Sequence, residues 1–160
     1  MGDGAVNQGA YHESLNLAAL WKLPVVYVIE NNKYSMGTTI DRSSAMRNCL
    51  AERADGYGIV WDIANGEDLY EVRAKAHNAL ERAHKHSLPT VLEIDTYRYY
   101  GHSVADANAK KYRSPEEIER YKAHHDPLRL WQKRLVDEGV MTVEEIEKLD
   151  ESIKEEANAA

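Results

Sequence analysis

Cysteine is almost missing from this chain: Cys49 stands alone among 160 residues. No internal disulfide can form, so the fold cannot depend on an oxidising compartment. Long apolar runs are missing as well. The longest, residues 17–21 and 25–29, hold five residues each, against the roughly 20 that a membrane-spanning helix needs. Basic charge is in deficit, with 20 Lys and Arg against 27 Asp and Glu and a formal net charge of -7. That balance excludes a broad basic surface and argues against nucleic acid or an anionic membrane as the main partner. The opening residues lack the basic-then-apolar pattern of a secretory signal, and neither an internal repeat nor a low-complexity segment interrupts the chain. What is present is ordinary: 43% hydrophobic and 29% charged residues, in a length sufficient for one compact core. Composition thus predicts a soluble intracellular domain and leaves function to the motifs.

The pattern along the chain alternates helix and strand. Gly2-Asp3-Gly4 is a turn motif of the kind that usually follows a strand, although only Met1 stands before it. A helix follows Gly9 and ends near Leu23-Pro24, where proline stops it. Residues 25–29 are β-branched and continuously apolar, the pattern of a strand buried on both faces of a parallel sheet. Residues 33–66 show no long period; within them 59–63 read as a short strand. From Glu67 to His86, Leu69, Val72, Ala76, Ala79, Leu80 and Ala83 recur at helical spacing. Residues 90–95 form the second clear strand, and 97–113 a polar loop. Ser114-Pro115-Glu116-Glu117, Asp126-Pro127 and Thr142-Val143-Glu144-Glu145 each open a helix with a cap residue. This order predicts an α/β fold, a parallel sheet flanked by helices with a helical C-terminal tail. Ligands of such sheets bind at the carboxyl ends of the strands.

The chemistry-bearing residues fall at those ends. Gly2-Asp3-Gly4-Ala5 pairs a carboxylate with glycines that let backbone N–H groups approach an anion. Asn31-Asn32 supplies neutral carbonyl oxygens. A carboxylate, an amide oxygen and a diphosphate make a hard-oxygen site suited to Mg²⁺. Either half alone is an ordinary turn. Together, with 26 residues between Gly4 and Asn31, they are far more specific. Other features carry less. His77 and His84 sit seven apart on a charged helix face and read as solvated, His124-His125 as loop surface, and Cys49 as a structural thiol without a base nearby. Leu15, Leu17, Leu20 and Trp21 read as core.

The Gly-Asp-Gly to Asn-Asn interval resembles the thiamine diphosphate motif. The resemblance extends through Asn7-Gln8-Gly9, residues 18–24, Glu30, Tyr34 and Met36-Gly37-Thr38 to Thr96-Tyr97-Arg98-Tyr99, Gly101-His102-Ser103, Asp106, Tyr112-Arg113 and Asp126-Pro127. Over nearly the whole chain it is similar to the alpha subunit of the pyruvate dehydrogenase component of 2-oxoacid dehydrogenase complexes. That resemblance implies a thiamine diphosphate-binding fold, incomplete at its N-terminus. Residues 1–113 would form the partial cofactor-binding domain and 114–160 its helical extension. It implies that Asp3 and Asn32 hold Mg²⁺ by side chains and Tyr34 by its carbonyl. Gly4 and Ala5 would offer N–H donors to the diphosphate. His102 would sit beside the cofactor as a catalytic residue, and Arg98 would orient the loop. Ser103 matches the serine that kinases phosphorylate in mitochondrial members. Tyr100 and Ala107-Asn108 depart from the family loop, where another histidine and Pro-Gly are common.

The implied reaction is decarboxylation of pyruvate and transfer of the acetyl group to the lipoyl arm of a dihydrolipoyl acyltransferase. A beta subunit, in an alpha2beta2 heterotetramer, would supply the glutamate that activates thiamine. The 160 residues alone are therefore expected to be inactive, with an unpaired sheet edge beside residues 25–29. The setting would be the cytoplasm of a bacterium or the mitochondrial matrix of a eukaryote. Three other readings stay open: a branched-chain 2-oxoacid or acetoin substrate, an inert subunit-interaction fragment, and a magnesium-dependent nucleotide-binding domain.

Overall fold

A computed structural model of the chain describes residues 1–106 and 112–160. The 107–108 departure lies outside the described residues. A 3-10 turn over Ala5–Asn7 leads into α1 (Gly9–Leu20). Strand β1 (Val26–Asn31) follows, then a small hairpin of β2 (Tyr34–Ser35) and β3 (Thr38–Thr39), and a single turn, α2 (Ile40–Ser43). A 3-10 segment over Ala51–Tyr57 precedes β4 (Val60–Asn65), α3 (Leu69–His86) and β5 (Thr90–Asp95). The tail is α4 (Pro115–His124), α5 (Pro127–Asp137) and α6 (Val143–Ala159).

The α/β class and the parallel sheet match the sequence reading. The sheet has the order β1-β5-β4, with β5 at its centre and both neighbours parallel to it. Register pairs Asn31 with Asp95 and Asn65 with Asp95, so the three carboxyl ends finish level. One face carries Ile29 and Val91, which pack with Val6, Tyr11, Leu15, Leu50, Ala51, Ala54 and Ile59 into the main core. α3 covers the other face through Ala79 and Ala83.

The outer edge of β1 is not bare. The Met1 amino group donates to Val28 O at 2.7 Å, Glu30 N–H donates to Met1 O at 2.8 Å, and Gly2 bridges Glu30 in parallel. The residues before the Asp3 turn thus lie as a fourth parallel strand would, and the expectation of an unpaired edge is corrected at Val28–Glu30.

Three further readings need correction. Of the four apolar α1-region residues read as core only Leu15 is buried; Leu17, Leu20 and Trp21 are exposed, because they share a second face turned away from Tyr11, Leu15 and Ala18. A helix apolar on two faces is built to be covered on both. The 67–86 helix begins at Leu69, capped by Asp68, whose carboxylate accepts from Tyr70 N and Glu71 N. Its small residues Ala79 and Ala83 are buried while Leu69 and Leu80 remain exposed. His125 is not loop surface. Its Nδ1 lies 3.0 Å from Glu67 Oε2 and its ring packs on Tyr121, tying the tail to the loop before α3. Cys49 is buried, and burial pushes its thiol up, as a structural cysteine requires. His77 and His84 are exposed.

Helix α6 buries none of its residues, so its ends matter more than its packing. Thr142 forms a full capping box: Glu145 N–H donates to Thr142 Oγ1 (3.2 Å) and Thr142 N–H to Glu145 Oε2 (2.8 Å). Thr142→Ala should cost about 1 kcal/mol. Hydrogen exchange of residues 143–146 should then quicken about fivefold while the sheet amides keep their protection. Equal rates in both proteins would show that the cap contributes nothing.

Candidate cation and phosphate site

The first turn of the chain lies against the carboxyl end of β1. Ala5 N–H donates to Gly2 O at 3.0 Å and closes the turn. Gly4 meets the hairpin so closely that a Cβ there would stand 2.1 Å from Ser35 Oγ. Only a glycine permits that approach. The Ala5 amide is thus taken up by the turn itself, and of the two expected phosphate donors Gly4 is the one whose N–H the turn does not use.

Asp3 is 4% exposed, and its Oδ2 has no hydrogen-bond partner among the described residues. Burial pushes its carboxyl above the usual carboxylate range. Its own N–H, the Arg98 guanidinium, the Asn32 N–H and the Lys33 ammonium pull the other way without overcoming the burial. The turn after β1 brings up the remaining oxygens. Asn32 Oδ1 accepts from Tyr34 N–H at 3.3 Å. Tyr34 O accepts from Arg98 Nη1 at 3.3 Å, so a cationic group already touches the carbonyl that the sequence assigns to the metal. Lys33, held at a left-handed φ of 69°, pairs with Asp95 at 2.6 Å. Asp3, Gly4, Asn32 and Tyr34 are therefore drawn to one corner of the sheet. Among the described residues no three His, Cys, Asp or Glu side chains cluster as metal ligands; a hard-cation site here would draw on one carboxylate, one amide and one carbonyl.

The 97–106 segment is fastened over this corner by two arginines. Arg98 donates to Met36 O (2.7 Å), Tyr100 O (3.1 Å) and Tyr112 Oη (3.0 Å), besides Tyr34 O. Arg113, 3% exposed, lies between the Tyr34 and Tyr97 rings, 4.4 and 4.1 Å from their centroids. It donates to Asn32 O at 2.7 Å and also to Arg98 O. Tyr97 stacks in turn on Tyr121 and donates to Glu117 at 3.0 Å; burial and that bond push its hydroxyl up to about 12. His102 and Ser103 are exposed, and Asp106 accepts the His102 N–H at 3.0 Å. The His102 imidazole makes no hydrogen bond among the described residues.

Two contributors escape the sequence reading. Arg113 enters it only as part of a motif. Glu93 lies unremarked inside a strand, although a carboxylate in a continuously apolar run is a signal, because a buried charge must be met by donors. A cavity of about 120 Å³ at the strand ends is lined by Asn32, Tyr34, Asp95, Tyr97 and Arg113. A larger one, about 440 Å³, lies beside α3 at the opposite ends of β4 and β5 and has no part in this corner.

A sequence model of the family described as the dehydrogenase E1 component matches residues 1–160. The chain belongs to the dehydrogenase E1 component family. Among curated relatives, it is 46% identical to the pyruvate dehydrogenase E1 component subunit alpha of Rickettsia felis, over 97% of this chain and 46% of that protein. It is 46% identical to the subunit of the same name from Zymomonas mobilis, over 99% of this chain and 44% of that protein. With the testis-specific mitochondrial form from Rattus norvegicus it shares 38% identity, over 99% of this chain and 40% of that protein. The chain thus spans less than half the length of these E1 relatives.

Proposed function

We propose that this chain is the cofactor-diphosphate and Mg²⁺-binding part of a pyruvate dehydrogenase E1 alpha subunit. The observation that carries the reading is Asp3: a buried carboxylate with an unsatisfied oxygen, beside Asn32 and Tyr34. A buried charge left unpaired is costly, and a divalent cation with few protein ligands and substrate phosphates would relieve that cost. Asp3 and Asn32 would hold the ion by side chains and Tyr34 by its carbonyl, while Gly4, with Ala5 beside it, would face the diphosphate. When bound, thiamine diphosphate supplies the nucleophilic carbon and the electron sink for decarboxylating a 2-oxoacid. The chain's own residues bind and orient. Arg98 would share the Tyr34 carbonyl with the ion while bonded to Met36 O, Tyr100 O and Tyr112 Oη, and Arg113 holds the 97–106 segment to Asn32. His102 would act as a catalytic residue beside the cofactor, near the substrate.

The names of the relatives support pyruvate as substrate; for the whole protein the reading includes a beta subunit and a lipoyl-bearing acyltransferase as partners. The uncovered Leu17, Leu20 and Trp21 face of α1 is consistent with further protein against it. Activity then belongs to the assembled alpha2beta2 enzyme and not to these 160 residues, in the cytoplasm of a bacterium or the matrix of a mitochondrion. Among the described residues no helix is long and apolar enough to cross a membrane.

Titration calorimetry on the full-length heterotetramer tests the reading. Thiamine diphosphate should bind with Mg²⁺ and fail to bind with a chelator, and MgATP should give no heat. Binding of MgATP instead would favour the nucleotide reading. With a lipoyl domain as acceptor, pyruvate should turn over faster than a branched 2-oxoacid or acetoin. His102→Ala should lower kcat about tenfold, a loss of roughly 1.4 kcal/mol of transition-state stabilisation, with cofactor affinity kept. Wild-type turnover in that variant would assign His102 a surface role only.

A further inference from the structure

Glu93 is 1% exposed at the middle of β5, where a charge is tolerated only with donors around it. It has three. Leu50 N–H and Ala51 N–H donate to Oε2 at 2.7 and 2.9 Å, and Asn31 Nδ2 donates to Oε1 at 2.6 Å. Asn31 itself is fully buried. A carboxylate can only accept, so Glu93 obliges Asn31 to present its amide NH₂ on that side and its Oδ1 on the other. That Oδ1 accepts Lys33 N–H at 3.0 Å. The bond closes a tight turn around Asn32 with Lys33 in the left-handed region, a conformation that costs a non-glycine residue energy unless something holds it. Asn32 and Tyr34 ride on this turn.

We infer that Glu93 is a positioning residue for the Mg²⁺ site: it sets the orientation of the Asn31 amide, and so holds the 31–34 turn in the shape that carries Asn32 and the Tyr34 carbonyl to Asp3. The inference rests on the cation reading of that corner. Glu93 touches neither ion nor substrate and acts only through Asn31. The same carboxylate gathers the start of the 51–57 segment, so one buried charge registers the cation turn against the core.

The donor and acceptor pattern defines a test. In Glu93→Gln one amide oxygen can still accept from Leu50 and Ala51, but the new NH₂ then meets the NH₂ of Asn31. Turning Asn31 over relieves that clash and sets a donor against Lys33 N–H. In the double variant Glu93→Gln with Asn31→Asp, the glutamine NH₂ donates to the carboxylate introduced at position 31, and the other oxygen of that carboxylate accepts from Lys33. The charge has moved from one strand to its neighbour and every bond is restored.

In the full-length heterotetramer, the Mg²⁺ concentration for half-maximal thiamine diphosphate binding is read by calorimetry beside a thermal melt of each cofactor-free protein. E93Q should raise the Mg²⁺ requirement about tenfold, and the double variant should return it to within about threefold of wild type. A folded E93Q with an unchanged Mg²⁺ requirement overturns the inference. So does a double variant that regains its melting temperature but not its Mg²⁺ affinity, which would make Glu93 structural only. If E93Q does not fold, Asn31→Ser decides: it leaves the Leu50 and Ala51 bonds intact and should raise the Mg²⁺ requirement alike, and no rise rejects the link. Failure of the wild-type enzyme to bind thiamine diphosphate with Mg²⁺ would be a different result, the loss of the cation reading itself.

Discussion

Asp3→Asn should abolish Mg²⁺-dependent binding of thiamine diphosphate and, in the cofactor-free enzyme, raise the melting temperature. The two effects have one cause. Asp3 is buried, its Oδ2 has no partner among the described residues, and burial holds its carboxyl above the usual range. An ionised carboxylate in that position is a liability until a cation arrives. Asparagine keeps an oxygen for the Asn32 N–H and removes the charge, so the apo protein should gain a few degrees, since about 1 kcal/mol moves Tm by roughly 2–4 °C in a domain of this size. On the proposed reading the bound state loses its one charged ligand from this chain. Removing one partner of a buried charge pair costs ~3–5 kcal/mol, which is a fall in affinity of about a hundredfold or more. Asp3→Ala should lose binding equally without the stability gain, because it leaves the Asn32 N–H unmet and a void behind. Calorimetry with thiamine diphosphate and Mg²⁺, beside thermal melts of the apo proteins, reads both signs. Unchanged affinity in either variant would remove Asp3 from the cation site.

What can be read from the sequence is local. Pro24 and Pro89 end helix-to-strand connections, Ser114, Asp126 and Thr142 cap helices through bonds to amides two or three residues on, and the segments read as strands at 25–29 and 90–95 form strands at 26–31 and 90–95. Each of those signals is complete within a few residues. The stretch from 33 to 58 is opaque because distant partners hold it. Arg53 donates to Val6 O, Asn7 Oδ1 and Ser44 Oγ, and Glu93 holds Leu50 and Ala51, so no periodicity marks the segment. The candidate site divides along the same line. Asp3 and Asn32 are legible because one helix and one strand fix the spacing between them. Arg113 and Glu93 are not, since Arg113 reaches back 81 residues to Asn32 and Glu93 reaches 62 to Asn31. The exposed side of α1 fails differently. Leu17, Leu20 and Trp21 have the composition of core and lie on a face that the described residues do not cover.

Arg113→Ala should release the 97–106 segment from the sheet corner and weaken cofactor binding without unfolding the sheet. Three kinds of contact meet on that side chain. It donates to two carbonyls, Asn32 O and Arg98 O, it stacks between two tyrosine rings, and it is almost wholly buried. A hydrogen bond from a charged donor contributes ~1.5–3 kcal/mol and a desolvated cation–π contact up to about 2 kcal/mol. Alanine removes all of them and leaves both carbonyls short of a donor. A local loss of ~3–5 kcal/mol is expected, in line with other broken buried charge contacts. That corresponds to a rise of about a hundredfold or more in the open population of the segment. Arg113→Lys should recover only part, because an ammonium cannot lie flat between two rings or fork to two carbonyls. Hydrogen exchange reports this directly: amides of 97–106 should exchange at least about a hundredfold faster in R113A, those of β5 should keep their rates, and trypsin should cut after Arg98 faster than in the wild type. The consequence for function runs through Asn32, whose carbonyl accepts from Arg113. Affinity for thiamine diphosphate with Mg²⁺ should fall in R113A, and less in R113K. Full loop protection in R113A would show that Arg98, which ties the segment to the Tyr34 and Met36 carbonyls of the hairpin, is sufficient alone.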